Sequence, residues 1–197
     1  MSLYLDLLRH GETVSGGGFR GRLDDELTAE GWRQMRQAIA DRGPWQRIVS
    51  SPLKRCARFA AELAERQGLQ LELEPAFREL DFGEWEGRTA AELSVDHSDE
   101  LGRFWSDPYG FTPPGGEPLA GFEARIFAAL DRLAHRCAGE RVLLVTHGGV
   151  MRLLLAEARG LPRRHLLQVE VGHGELYGLR AETRDARLWL ETTCSHC

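Results

Sequence analysis

Two apolar runs, far apart in the chain, each end in a histidine that is followed at once by glycine. The first is YLDLLRHGET, in which Arg9 and His10 close a strand-like segment, and the second is RVLLVTHGGV, which ends in His147 and Gly148. In a parallel sheet the carboxyl ends of the strands meet at one edge, where ligands bind. If these two segments are neighbouring strands, both histidines face one crevice. The requirement that the two strands be neighbours limits the possible folds more than any other feature of the sequence.

The rest of the chain alternates between strand and helix patterns. We predict strands at 2–8, 47–51, 69–75 and 142–146 and in the segments ELYGLR and RLWLET near the end. Helices are predicted before the Gly-Pro at 43–44, from the cap Ser51 to Gly68, over about 118–138 and from 148 to 160, with short helices such as 89–94 inside the irregular segment 76–117. This alternation predicts an α/β three-layer sandwich, with a mostly parallel sheet and helices on both faces, in a single domain over residues 1–197.

The composition excludes several classes of protein. Apolar residues make up 42%, charged residues 28%, and the net charge of −5 argues against a nucleic-acid partner. No apolar run approaches the roughly 20 residues of a membrane span, and no signal-peptide pattern is present, so we expect a cytoplasmic protein without a membrane partner. The tail CSHC at 194–197 is only half of a zinc-site pattern, so neither a metal nor a cofactor is predicted. The sequence leaves the oligomeric state open, a dimer included.

Four basic side chains carry the predicted chemistry. Arg9, His10, Arg55 and His147 would repel one another in one crevice unless an oxyanion joined them, which predicts a pocket for phosphate or carboxylate. A neutral imidazole is a nucleophile at physiological pH, and water can break the N–P bond of a phosphohistidine. With the cationic groups on the equatorial oxygens, phosphoryl transfer needs no metal.

A carboxyl group is also needed, first to protonate the departing oxygen and then to activate water. Glu79, in FRELDFGEWEG, is the best candidate because it begins an irregular, glycine-containing loop after a strand. Glu12 and Glu84 are rivals on pattern alone.

Five segments in this order, LLRHGET, SSPLKRC, RELDFGEWEG, TPPGGEPL and VTHGGV, resemble the histidine phosphatase superfamily, which is also called phosphoglycerate mutase-like. The resemblance covers about 80% of the chain. It implies a metal-independent phosphomonoesterase with a small phosphorylated metabolite as partner. The residues that it assigns are the nucleophile His10, the proton donor Glu79, the phosphate pocket of Arg9, Arg55 and His147, the Gly148 N–H, and the Thr13 hydroxyl as either a phosphate contact or a helix cap.

Within the superfamily, the short chain, the DFGEWEG segment and the GGE turn most resemble alpha-ribazole phosphatases, which implies a role in cobalamin biosynthesis. Many members carry Asn six residues after the nucleophile, where this chain has Gly16 in SGGG. The loop is therefore reshaped, and Arg20 or Arg22 could replace that contact. Glu117, in the GGE turn, could either touch the substrate or brace its loop.

Three alternatives to that function remain open at this stage. They are a phosphoglycerate mutase, a broad-specificity sugar or nucleotide phosphatase, and a catalytically inactive phosphate-binding scaffold. The other histidines are isolated in the sequence and are predicted to be surface or packing residues: His97, His135, His165 and His173.

Overall fold

A six-stranded sheet forms the centre of the molecule. The computed structural model describes residues 2–184 and 187–193, so the CSHC tail lies outside the described residues. The strands are β1 (Leu3–Arg9), β2 (Arg47–Ser50), β3 (Gln70–Leu73), β4 (Arg141–Thr146), β5 (Leu176–Arg184) and β6 (Arg187–Thr193). Their order is β3-β2-β4-β1-β5-β6. The first four of these run parallel, whereas β5 pairs antiparallel with β1 and with β6, so the sheet is mixed.

Helices cover both faces of this sheet, which confirms the predicted three-layer α/β architecture. The α-helices of the described part are α1 (Ala29–Ala38), α2 (Lys54–Gln67), α3 (Ala90–Asp96), α4 (Ser98–Ser106), α5 (Leu119–Arg136) and α6 (Gly148–Ala158). Successive side chains of a strand point to opposite faces. Accordingly, Leu8 and Leu143 join the core under α1 and α2, and Leu7 and Leu144 join the core under α3 to α6. None of these helices combines the length and the apolar character needed to cross a bilayer.

The start of α2 differs from the prediction. Ser51 was expected to cap this helix, but the helix begins at Lys54, and Leu53 stands at its cap position without a capping side chain. The Ser51 hydroxyl accepts a long hydrogen bond from the Leu53 N–H, at 3.4 Å, and lies 2.7 Å from Nε2 of His147. Its shorter contact is therefore a tertiary one at the edge of the sheet.

The cap of α1 is Thr28, whose side chain accepts a hydrogen bond from the Gly31 N–H. Thr13 is therefore not the cap of that helix.

Asp6, an unexpected acid inside a parallel strand, is buried. It accepts hydrogen bonds from the indole of Trp45 at 2.7 Å and from Arg141 at 3.0 Å. A buried carboxylate is tolerated when it is paired in this way.

Candidate active site

The carboxyl ends of β1 and β4 bring the two predicted histidines together. Arg9 pairs with Thr146 across the parallel ladder, and the His10 N–H donates to the Thr146 carbonyl oxygen at 2.9 Å. The ring centroids of His10 and His147 are then 5.3 Å apart. The adjacency supposed for these two segments is confirmed, and it places both rings at the edge of the sheet where ligands bind.

His10 is held as a neutral imidazole with one ring nitrogen unprotonated. Its Nδ1 lies 2.8 Å from the carbonyl oxygen of Gly11, which can only accept, so we assign the proton to Nδ1 and the lone pair to Nε2. Burial, followed by the charges of Arg55 and Arg9, holds the pKa of His10 well below its ordinary value of 6.5. A Cβ on Gly11 would lie 2.2 Å from the Gly31 carbonyl oxygen, so the turn can approach α1 this closely only as glycine.

Beside His10 opens a cavity of about 410 Å³, a volume typical of a small-molecule site. The predicted site residues that line it are Arg9, His10, Thr13, Glu79 and Gly148. Arg55 and His147 are not among its lining residues in the described part of the chain, and neither are the rival carboxylates Glu12 and Glu84. The structure therefore favours Glu79 over its rivals by position.

Arg9 runs along the cavity wall and is incompletely satisfied by the protein. One terminal nitrogen donates to the Val171 carbonyl oxygen at 2.5 Å, whereas its buried Nε has no hydrogen-bond partner among the described residues. A Cβ on Gly148 would lie 3.2 Å from this Nε and 3.3 Å from a terminal nitrogen of Arg152, so the glycine leaves room for both guanidinium groups. Burial lowers the pKa of Arg9, which Glu79 opposes and Arg152 reinforces. An anion at this wall would satisfy the free donor.

Arg55 and His147 form a layer behind His10. Arg55 Nε donates to His147 Nδ1 at 3.2 Å, and a terminal nitrogen donates to the Leu23 carbonyl oxygen at 2.6 Å. Because His147 Nδ1 accepts, its Nε2 carries the proton and donates to the Ser51 hydroxyl. Burial and then Arg55 hold the pKa of His147 well below its ordinary value. In this arrangement both side chains are engaged with protein groups, so their direct contact with phosphate stays a prediction.

Glu79 projects from the loop after β3 and is fixed by backbone donors. Its carboxylate accepts from the N–H of Gly149 at 2.8 Å and from its neighbour Leu80 at 3.0 Å. Arg125 of α5 donates to the Glu79 carbonyl oxygen at 3.0 Å and pairs with both carboxylate oxygens of Glu117 at 2.8 Å. Of the two alternatives for Glu117, the structure shows the one in which it braces the loop.

Arg20 occupies the reshaped loop that follows His10. Its side chain is only 8% exposed, one terminal nitrogen lies 2.7 Å from the Thr13 hydroxyl and 2.6 Å from Asp25, and its buried Nε has no hydrogen-bond partner in the described part. Arg20 lines the cavity. Arg22 does not, and its largely exposed side chain pairs with Asp81 at 2.7 Å. Of the two arginines considered for this position, Arg20 is the one that the fold delivers to the site.

One carboxylate holds this loop in place. Glu86 accepts hydrogen bonds from the backbone N–H groups of Gly21, Arg22, Leu23 and Phe82, at 2.9 to 3.1 Å. A carboxylate that binds several amide groups at once is a strong, charge-assisted anchor. It ties the segment that carries Arg20 to the segment that follows Glu79.

Aromatic side chains form another part of the lining of the cavity. Phe19, Phe82, Phe104 and Trp105 line it, with Phe19 at the centre of the group. The Phe19 ring centroid lies 5.0 Å from that of Phe82 and 6.0 Å from that of the half-exposed Trp105. Such faces stack on flat or apolar groups. The cavity lining thus combines cationic side chains with aromatic ones.

Two basic cavity residues were missed by sequence reasoning. Arg152 lies five positions after His147, in the second turn of α6, a spacing that could have been recognised. His173 was expected to be a surface or packing residue, and this interpretation was incomplete. The residue is exposed, yet it lines the rim of the cavity with its ring centroid 5.5 Å from that of His10. No local pattern marks it, because only the turn before β5 brings it to the site.

Comparison with known proteins shows which family this chain resembles in sequence. The profile of the Histidine phosphatase superfamily (branch 1) matches residues 5–191. A bifunctional protein of Mycobacterium tuberculosis is 35% identical over 89% of this chain and 47% of its own length. A Yersinia enterocolitica protein named "Probable phosphoglycerate mutase GpmB" is 34% identical over 81% of this chain and 76% of its own length. The chain thus spans about half the length of the first of these curated relatives.

Solved structures with the same fold include two phosphatases of different substrates. The alpha-ribazole phosphatase of Shigella flexneri superposes with a TM-score of 0.79 at 26% identity, covering 99% of this chain and 96% of its own. The mycobacterial glucosyl-3-phosphoglycerate phosphatase, solved with VO3, superposes with a TM-score of 0.84 at 29% identity, covering 97% of each chain.

Proposed function

The chain belongs to branch 1 of the histidine phosphatase superfamily, and we propose that it is a phosphomonoesterase that works through a phosphohistidine at His10. The observation that carries the proposal is the neutral His10 ring, with its Nε2 free, on the wall of a cavity that also holds Glu79. Three arginines line the same cavity: Arg9, Arg20 and Arg152. This charge distribution suits a phosphate monoester dianion.

In the first step the Nε2 lone pair of His10 attacks phosphorus and the ester P–O bond breaks. The Nδ1–H of His10 bonded to Gly11 keeps the ring oriented and bears the positive charge that develops on the imidazole. Arg9 and the first turn of α6 face the equatorial oxygens, where a helix N-terminus favours negative charge. The protonated carboxyl group of Glu79 gives its proton to the leaving oxygen, and an alcohol departs.

In the second step water attacks phosphorus and the N–P bond breaks. The Glu79 carboxylate now accepts a proton from the water, which returns the acid to its starting form. Inorganic phosphate leaves and His10 regains its lone pair. Burial, and then the fixed charge of Arg55 behind the ring, lower the pKa of His10 and keep the nucleophile unprotonated before each first step.

Trapping of the phosphoenzyme tests this proposal. We expect labelled phosphate from a substrate ester to remain on the wild-type protein after a denaturing quench at alkaline pH, where phosphohistidine survives. His10→Ala removes the nucleophile and should abolish both the label and turnover, whereas Arg9 and Arg152 should preserve part of the affinity for inorganic phosphate. His135→Ala, an exposed position on α5, is the matched control and should label like the wild type. Undiminished labelling of His10→Ala would contradict the proposal.

For the substrate, we propose alpha-ribazole 5′-phosphate, a phosphate ester with a flat heteroaromatic group. The aromatic lining around Phe19 and Trp105 supports this choice because it offers stacking faces in the same cavity as the arginines. The likeness to the Shigella enzyme supports it as well. The test is a comparison of kcat/KM for alpha-ribazole 5′-phosphate, a sugar phosphate and a nucleoside monophosphate, in which the first should lead. Trp105→Ala should lower kcat/KM for alpha-ribazole 5′-phosphate more than for the sugar phosphate.

A mutase is the second candidate, favoured by the likeness to the phosphoglycerate mutase homologue. A mutase must keep water from its phosphoenzyme and return the phosphoryl group to the product. Incubation with 3-phosphoglycerate separates the two activities. Isomerisation without release of phosphate would establish the mutase, and net phosphate release would establish the phosphatase.

A further inference from the structure

His173 is a titratable group at the cavity that the reaction described above leaves unused. It lines the rim, and its ring lies 5.5 Å from the nucleophile's ring at an interplanar angle of 43°. In the described part of the chain no hydrogen bond is made by either of its ring nitrogens. A polar ring that faces the nucleophile without a protein partner is available to a ligand.

The turn that carries His173 is fixed to the catalytic strand. The N–H of Gly174 donates to the carbonyl oxygen of His10 at 3.3 Å, and the N–H of Arg9 donates to that of Glu175 at 3.0 Å. The Glu175 carboxylate closes the turn by accepting from the Gly172 N–H at 2.7 Å. The backbone of the short segment that carries His173 is therefore hydrogen-bonded to both Arg9 and His10.

The groups around His173 are cationic or neutral on the cavity side. Arg9 and His10 face it from the end of β1, and Arg20 faces it from the following loop, with Asp25 paired to Arg20. On α1, the neighbour of the turn is the uncharged Gln34, and Glu175 on its own turn is occupied with Gly172 and Tyr177. Partial desolvation of the ring at the cavity rim, then Arg9 and Arg20, lowers the pKa of His173 to about 4. The ring is thus neutral at physiological pH.

We propose that His173 is a third histidine of this site, which donates a ring N–H to an oxygen of the bound phosphoryl group. The inference rests on the proposed function, since it concerns the same cavity and the same anion. A neutral imidazole always carries one N–H, and a phosphoryl dianion at Arg9 would offer the acceptor that this N–H lacks.

The anion also changes the proton equilibrium of the ring. In the free protein the two arginines disfavour a third positive charge, whereas a bound dianion offsets them and stabilises the protonated ring. Binding should therefore raise the pKa of His173. As the pH falls toward this raised pKa, anion binding takes up a proton and becomes tighter, and the gain disappears at higher pH, where the ring stays neutral in both states.

Sulfate is the suitable probe because it stays a dianion throughout this pH range and does not depend on turnover. We would measure sulfate binding by calorimetry from pH 5.5 to 8 for the wild type, His173→Phe and His173→Gln. Phe keeps a ring without an N–H, and Gln keeps a donor that cannot titrate. The matched control is His135→Phe, an exposed histidine on α5 outside the cavity.

At pH 5.5 we expect sulfate to bind His173→Phe about tenfold more weakly than the wild type, as for loss of one hydrogen bond to a charged group. The loss should be smaller at pH 8. His173→Gln should bind nearly like the wild type at pH 8 but should not follow it at pH 5.5. The ring resonance of His173 in the wild type, assigned by its loss in His173→Gln, should titrate with a higher pKa when sulfate is present.

The opposite results are equally clear. Equal sulfate affinity of the wild type and His173→Phe at every pH, or a titration of His173 that sulfate does not move, would overturn the inference. Failure of the proposed function looks different, because the wild type would then release no phosphate from any ester although sulfate binding still depended on His173.

Discussion

The hydrogen-bond partners of each site residue determine its tautomer or its orientation. The Gly11 carbonyl oxygen selects the tautomer of His10, and Arg55 selects that of His147 through its Nε–H. Glu79 receives two backbone N–H groups, which orient its carboxylate along the cavity wall. Nucleophile and acid thus reach one cavity from different segments, and His10 is held there as the neutral ring that attack on phosphorus requires.

Substitution of Glu79 by Gln tests its role as the acid. The amide cannot deliver a proton, so we expect kcat for an alkyl phosphate to fall by about a hundredfold or more, within the usual range for general acid catalysis. Nitrophenyl phosphate should be affected far less in the first step, because nitrophenolate leaves without a proton. Burst kinetics with both esters separate this step from hydrolysis of the phosphoenzyme. Glu84→Gln, outside the cavity lining, is the control, and equal slowing of phosphoenzyme formation from both esters would reject the acid role.

At the scale of elements, the site is assembled from the ends of strands and helices and from two loops. The N-terminus of α6 follows β4 directly, so its first turn meets the residues that follow β1. The loop after β3 is irregular because it must carry Glu79 to this turn, and Arg125 of α5 satisfies its free carbonyl groups. Contacts with α5 and α6 thus add to local turn signals, such as Pro75 and the capping side chain of Glu74, in fixing its conformation.

The variant Gly149→Ala should change the position of the Glu79 carboxylate with little change in the free energy of unfolding. A Cβ at Gly149 would lie 2.3 Å from Oε1 of Glu79, so the carboxylate must move. A displacement of this size should lower kcat by about a hundredfold. The free energy of unfolding should change little, because alanine is the better helix former and the displaced group is the end of a flexible side chain.

Gly121→Ala in α5 is the matched control for that variant. Nothing lies within 4 Å of a Cβ at this position, so activity should be unchanged while stability rises by about 1 kcal/mol. Denaturant unfolding and steady-state kinetics on both variants provide the comparison. Full activity of Gly149→Ala would show that the contact between α6 and Glu79 does not position the acid.

At the scale of the whole molecule, the fold buries several basic groups at the cavity. His10 lies on the cavity wall with Arg55 and His147 behind it, and the two histidine rings are kept neutral there mainly by desolvation. Both have a lower pKa in the folded chain than in the unfolded chain. The unfolded state therefore binds more protons as the pH falls below the ordinary histidine pKa of about 6.5.

The stability of the protein should thus decrease as the pH falls from about 6.5 to 5. Each of the two buried histidines should contribute a slope of up to about 1.4 kcal/mol per pH unit in that window, and nothing above it. Urea unfolding at a series of pH values measures the slope. His10→Gln should reduce it by one histidine's share, whereas His135→Gln, at an exposed position, should leave it unchanged. A wild-type stability independent of pH in this window would contradict the neutral state of the rings.

The sequence by itself determined the alternation of elements and the family. Strands that end in Arg9-His10 and in His147 are visible because apolar runs and glycine turns are local patterns. A shared edge for the two strand ends followed from the rule that parallel strands present their carboxyl ends together, whereas the adjacency of the two strands was a supposition that the β1–β4 ladder bears out. Glu79 was found because it begins an irregular loop after a strand.

Only the tertiary structure decided which side chains meet the cavity. Arg20 and His173 line the cavity, whereas Arg55 lies behind His10. The Ser51 hydroxyl makes its shorter contact with His147. These outcomes depend on hydrogen bonds between segments tens of residues apart, such as those that Glu86 makes with the loop before it. Local patterns record which residues can form an element, but the free energy of burying a polar group depends on partners that only the folded chain supplies.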